Sequence, residues 1–140
     1  MALFSELCPI FHTGVENEIV FPNYKASSTL SLPVAQWTPG REVVVHEAWA
    51  NVYGSTTAFA CTSNSCTIYI YSDASLSTKI GSICIGSDDL SASGGIRKDA
   101  SLTSTSLGST DTLVLANYTF AGMESPEDWP VDIVVRYRES

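Results

Sequence analysis

The sequence predicts an all-β domain, and three observations predict it. Apolar and polar residues alternate with a period of two through several short runs, which is the side-chain period of a strand. Glu, Lys, Arg and Gln, which favour helices, are scarce and nowhere strung together. Ser and Thr make up about a quarter of the chain, and Thr suits the exposed face of a strand. At 140 residues the chain fits one domain. A domain of that size buries roughly 68–70% of its unfolded surface, so a core can form without a metal or a disulfide.

The first forty residues are irregular. Leu3 to Phe11, Glu18 to Tyr24 and Thr29 to Val34 are apolar enough for strands, but Pro9, Pro22, Pro33 and Pro39 interrupt them. Proline within a run confines it to an edge or a bulge. Residues 1–40 are therefore expected to be an arm or a set of edge strands. From Arg41 the alternation is clear: Val44, His46, Ala48, Ala50 and Val52 share one face, and Val43, Val45, Trp49 and Tyr53 the other. A strand apolar on both faces is expected to be covered on both. Thr57 to Cys61 and Thr67 to Tyr71 read as a hairpin around Thr62-Ser63-Asn64-Ser65.

Lys79 to Ile85 is the next strand, with Ile83 and Ile85 expected opposite Ile80, Ser82 and Cys84. The polar stretch from Gly86 to Thr110 is too long for a structureless loop in a compact domain. Short strands are expected near Gly95–Lys98 and Ser101–Ser106. Thr112 to Phe120 alternates strongly, Ser125 to Asp128 matches one helical turn opened by Ser-Pro, and Val131 to Tyr137 closes the chain. These elements amount to roughly eight to ten short strands, for which a two-sheet, jelly-roll-like antiparallel β-sandwich is the natural architecture. Residues 41–140 form its core, within one domain overall.

Charge narrows the partners. The net charge is −8, and the few cations include Arg97-Lys98, flanked by Asp99, and Arg136 and Arg138, next to Glu139. Phosphate neutralisation needs clustered Lys and Arg, so nucleic acid is not expected as a partner. An anionic membrane leaflet would repel this surface too. Met1 to Glu6 has no basic region and its apolar run is broken, unlike a secretory signal, so synthesis in a host cytoplasm without export by that route is expected.

Of Cys8, Cys61, Cys66 and Cys84, only Cys61 and Cys66 form a local pair. Free buried thiols are the simple reading, and a Cys61–Cys66 bridge clamping a hairpin is the alternative. Neither His12 nor His46 completes a zinc-ligand pattern. His46, among valines, reads as a core or interface histidine. No nucleophile elbow or phosphate-binding loop occurs, and Asp88-Asp89 and Glu124/Glu127/Asp128 read as solvated loop charge. The expectation is a non-enzyme without cofactor or metal. Trp37 and Trp129, beside prolines in connecting segments, and Phe4 and Phe11 in the N-terminal segment are the candidate partner contacts. Trp49 reads as core.

The alternating strands Thr112–Phe120 and Val131–Tyr137, joined through Ala121-Gly122-Met123 to Trp129-Pro130, resemble the closing strands of small phage jelly-roll modules. The acidic, Ser/Thr-rich, lysine-poor body resembles them as well. Such modules occur in capsid decoration (cement) proteins and in fibre tips. The resemblance carries no site residue. It implies a homotrimer seated on the major capsid protein lattice at the virion surface, with the N-terminal segment laid onto a neighbour as an arm. The competing expectation is a fibre-tip or lectin-like adhesin that binds a host glycan or receptor.

Overall fold

The computed structural model describes residues 16–22, 33–52, 65–86, 96–120 and 131–140. It is all-β, with ten strands among the described residues: β1 Glu16–Phe21, β2 Pro33–Trp37, β3 Val43–Val52, β4 Ser65–Tyr71, β5 Lys79–Gly86, β6 Ile96–Asp99, β7 Ser101–Leu102, β8 Thr105–Leu107, β9 Leu113–Phe120 and β10 Val131–Glu139. The first sheet runs β1-β10-β3-β6, with β8 also on β3, and the second runs β2-β9-β4-β5-β7.

All pairings are antiparallel, and they nest. β4 pairs β5, β3 pairs β6 and β8, β2 pairs β9, and β1 pairs β10. The chain is thus one long hairpin folded over into two stacked sheets, the jelly-roll-like sandwich expected from the strand count. Its tip is the Ser72–Thr78 turn, closed by Ser72 N–H to the Thr78 carbonyl at 3.0 Å. The segment 96–107 closes one side of the sandwich by itself. It lies on β3 as β6, crosses to β5 as β7, and returns to β3 as β8. β1 and β2 end the two sheets on the other side.

Between the sheets lie Val43, Val45, Ala48, Ala50 and Val52 of β3, Ile68 and Ile70 of β4, and Ile80, Ile83 and Ile85 of β5. Leu107, Leu113, Leu115, Val131, Ile133 and Val135 complete the core. Burying each of the larger aliphatic side chains contributes about 1.5–3 kcal/mol, which is what drives the sheets together.

Two bulges alter the expected faces. Arg136 pairs Glu47 but Tyr137 pairs Val45, so His46 is an extra residue in β3. The inward set therefore changes parity, from Val43 and Val45 to Ala48, Ala50 and Val52. The expected grouping of Val44 and His46 with Ala48 is corrected by that one residue. A second irregularity, where Ile70 pairs Gly81 and Tyr71 pairs Lys79, turns Ile80 inward beside Ile83 rather than opposite it. Cys84 is a free, exposed thiol and not a buried one, because alternation sends its neighbours Ile83 and Ile85 into the core. The Leu3–Phe11 run, the Thr57–Cys61 strand and the Ser125–Asp128 turn lie outside the described residues.

Candidate functional site

The outer face of the first sheet carries the densest side-chain chemistry among the described residues. Antiparallel register sets it in rows. Glu18, Arg136 and Glu47 make one row, Val20, Val134, Trp49 and Asp99 the next, and Asp132, Asn51 and Arg97 the third. A row that is apolar across β1, β10 and β3 and ends in Asp99 on β6 thus lies between two charged ones. Val20 is 47% exposed, whereas Trp49 is only 5% exposed although it points away from the core. Trp49 was expected in the core; it is buried instead beneath two arginines.

The Arg97 guanidinium carbon lies 3.9 Å from the Trp49 ring centroid, and that of Arg136 lies 4.9 Å away. Carboxylates hold both in place. Arg97 Nε donates to Asp99 Oδ1 at 2.7 Å and its Nη2 to Glu47 Oε1 at 2.6 Å. Arg136 Nη1 donates to Glu47 Oε2 at 2.9 Å and its Nη2 to Glu18 Oε1 at 2.8 Å. The charges therefore alternate in one chain, Glu18–Arg136–Glu47–Arg97–Asp99, across β1, β10, β3 and β6. Asp99 first, and then Glu47, raise the Arg97 pKa above its ordinary value, against some desolvation. Glu18 does the same for Arg136, with Glu47 adding to it.

These pairs are partly exposed and screened, so each by itself adds little stability. Their effect is geometric: a cation placed over an indole face is attracted by the ring quadrupole, and the carboxylates fix where the cation sits.

His46 flanks this array at the bulge, its Nε2 paired with Glu16 Oε2, its side chain 22% exposed. It lies on the outer surface. The outer face of the second sheet is aromatic. Tyr69 and Tyr71 lie with ring centroids 6.1 Å apart in an edge arrangement, and Lys79 Nζ sits 4.0 Å over the Tyr69 ring. A shallow depression of about 180 Å³ between Glu42, Ser106, Leu107, Gly108 and Ser140 marks the β3–β8 end. No group of three or more His, Cys, Asp or Glu side chains is placed to hold a metal among the described residues.

Trp37, a candidate partner contact, faces inward opposite Leu113 and is half-buried. Its ring lies 4.7 Å from that of Tyr137 at a tilt of 44°, so it joins the two sheets at one end of the sandwich. Phe4, Phe11 and Trp129 lie outside the described residues. So do Cys61 and the side chain of Cys66, and with them the Cys61–Cys66 bridge. Sequence reasoning missed the set built from Glu18, Glu47, Trp49, Arg97 and Arg136. Glu47 and Trp49 on β3, and Arg97 and Asp99 on β6, are each two residues apart along the chain; these two pairs meet each other, and Glu18 and Arg136, through strand pairing.

No protein-family model matches the sequence, and no curated protein matches it either. Among solved structures, the chain is similar to the carbohydrate-binding module CsCBM6-3 from Clostridium stercorarium, determined in complex with cellobiose. The identity is 17% and the TM-score 0.33, with 91% of this chain and 72% of that chain covered. A similarity this slight carries no functional argument.

Proposed function

We propose that this chain is a structural, non-catalytic module of a virion. In this reading it assembles as a homo-oligomer and decorates the capsid surface by binding the major capsid protein lattice. The observation that carries the protein-binding part is the Trp49 face. Tryptophan and arginine dominate the energetics of protein–protein contacts, chiefly where they are held rigid near the centre of a patch. Here Arg97 and Arg136 are held over the buried Trp49 ring on the outer face of the sheet, beside the 47% exposed Val20. Jelly rolls serve both capsids and lectins, so the architecture is compatible with the role without selecting it.

Co-sedimentation with expanded, undecorated capsid shells tests this reading. The protein is expected to pellet with shells and to saturate them. A folded protein that stays in the supernatant refutes it. The Tyr69–Tyr71 pair supports a second reading, in which the module binds a neutral glycan by ring stacking. Calorimetric titration with neutral oligosaccharides separates the two: heat that Tyr71→Ala abolishes, without shell binding, selects the glycan.

A further inference from the structure

We propose that the outer face of the first sheet takes a second copy of this chain across a two-fold axis. The inference rests on the reading of the chain as an assembling structural protein, and it names the surface that assembles. The argument is charge complementarity. Along Glu18–Arg136–Glu47–Arg97–Asp99 the signs run minus, plus, minus, plus, minus. A two-fold contact brings a stripe against its own reversal. With the axis between Arg136 and Glu47, Arg136 meets the second copy's Glu47, and Glu18 meets the second copy's Arg97. Both kinds of facing pair are then of opposite sign, and Asp99, the fifth member, lies beyond the paired stretch.

The hydrogen-bonding capacity for such contacts is present. A guanidinium has five N–H donors and a carboxylate accepts about four bonds. Arg97 donates through Nε to Asp99 and through Nη2 to Glu47 within the stripe, and its side chain is 43% exposed, so donors beyond those two bonds remain for a partner. The row of Val20, Val134 and Trp49 runs alongside, so the copies also cover Val20, the exposed large hydrophobic among the described residues. Because the charges are already fixed by their neighbours and by the Trp49 ring, less side-chain entropy is lost on docking. A contact of this symmetry closes pairs, so the assembly it builds has an even number of copies in place of the trimer that the resemblance implies.

The test is light scattering on the full chain over a dilution series, at about 0.05 M and about 0.5 M salt. A dimer is expected at low salt, with self-association weakened about tenfold or more at high salt. Val20→Glu, outside the ionic stripe, is expected to weaken it about tenfold or more with the melting temperature held. Glu18→Arg alone disrupts the dimer, and Glu18→Arg combined with Arg97→Glu restores it. That rescue is specific to contact between copies, since within one copy the pair leaves Arg136 and Asp99 each facing its own sign. A chain that stays monomeric, a dimer indifferent to Val20→Glu, or a folded double variant without rescue overturns the proposal; if the double variant loses its fold, Val20→Glu decides. Shell co-sedimentation is read separately: a dimer that ignores shells ends the capsid reading and keeps this one, and shell binding by a Val20-indifferent oligomer does the reverse.

Discussion

The Arg97 guanidinium lies 3.9 Å from the Trp49 ring centroid while its Nη2 donates to Glu47 at 2.6 Å, so ring, cation and anion form one stack on the outside of the sandwich. β3 is consequently covered on both faces by different means. Its inner face meets aliphatic side chains from the opposite sheet, and its outer face is roofed by arginine. The stems of long cationic side chains cover apolar surface while their heads remain in water.

Replacing Trp49 by alanine removes a ring that is 5% exposed. The loss is expected to cost about 3–5 kcal/mol, as for other buried aromatics truncated to alanine. For a domain of this size that lowers the melting temperature by roughly 10–20 °C. Trp49→Phe keeps a flat ring under the arginines and is expected to lose less than half as much. Thermal denaturation followed by circular dichroism measures both. An alanine variant melting within about 2 °C of the parent would show that the ring is not packed.

Asp73 organises the tip of the long hairpin. Its carboxylate accepts from Thr78 N at 2.8 Å, from Ser77 N at 3.1 Å and 3.2 Å, and from the Ser75 and Ser77 hydroxyls. The Ser75 hydroxyl, then that of Ser77 and the Thr78 amide, hold its pKa far below the usual carboxylate range. A depressed folded pKa contributes stability that is fully present above the unfolded value of about 3.9 and is lost as pH falls toward the folded one. Asp73→Asn is therefore expected to be less stable than the parent from neutral pH down to about 4, with the gap closing below that. Urea midpoints at about pH 7, 4 and 2 check the sign; a gap that widens in acid refutes it.

Much of the fold is legible in the sequence, and the exceptions share a cause. Leu113 and Leu115, and Val131, Ile133 and Val135, alternate without interruption and face the core as the period requires. β3 breaks the rule at His46-Glu47, two adjacent polar residues inside an apolar run. That doublet is the sequence trace of the bulge, since an extra residue puts two consecutive side chains toward the same side. Gly81 is the corresponding trace in β5, an isolated glycine in an otherwise good strand. The Trp49 site was hidden for another reason. Glu18, Glu47 and Arg136 lie far apart along the chain, and only the pairing of β1 with β10 and of β10 with β3 brings them together.

Leu76 holds the turn after Asp73 with φ of 58°, a left-handed backbone that a branched side chain disfavours. Its amide still donates to the Asp73 carbonyl at 3.2 Å, so the turn is kept despite that cost. Asparagine tolerates this conformation better. Leu76→Asn is expected to stabilise the protein by about 0.5 kcal/mol, read as a higher urea midpoint at constant slope. A loss of stability would mean that the Leu76 side chain contributes more by packing than its backbone costs.

Gly81 is where β7, the middle of the three strands in 96–107, packs against β5. A Cβ there would stand 2.7 Å from both Leu102 Cδ1 and the Ser101 carbonyl oxygen, and 3.1 Å from Leu102 Cα. Two of those three atoms are backbone, which cannot rotate away. Gly81→Ala must therefore push β7 off β5, breaking the Gly81–Leu102 register and the bond from Thr103 N–H to the Ile80 carbonyl at 2.8 Å. Overpacking of this kind costs about 1–3 kcal/mol. The damage is expected to be local, because β6 and β8 are held independently by β3. Hydrogen exchange should lose protection at Thr103 first while Ala100, bonded to the Ala48 carbonyl at 2.8 Å, keeps its own. Equal loss at both amides would show that 96–107 moves as one unit, and the crossing between sheets would then be a single strand and not three.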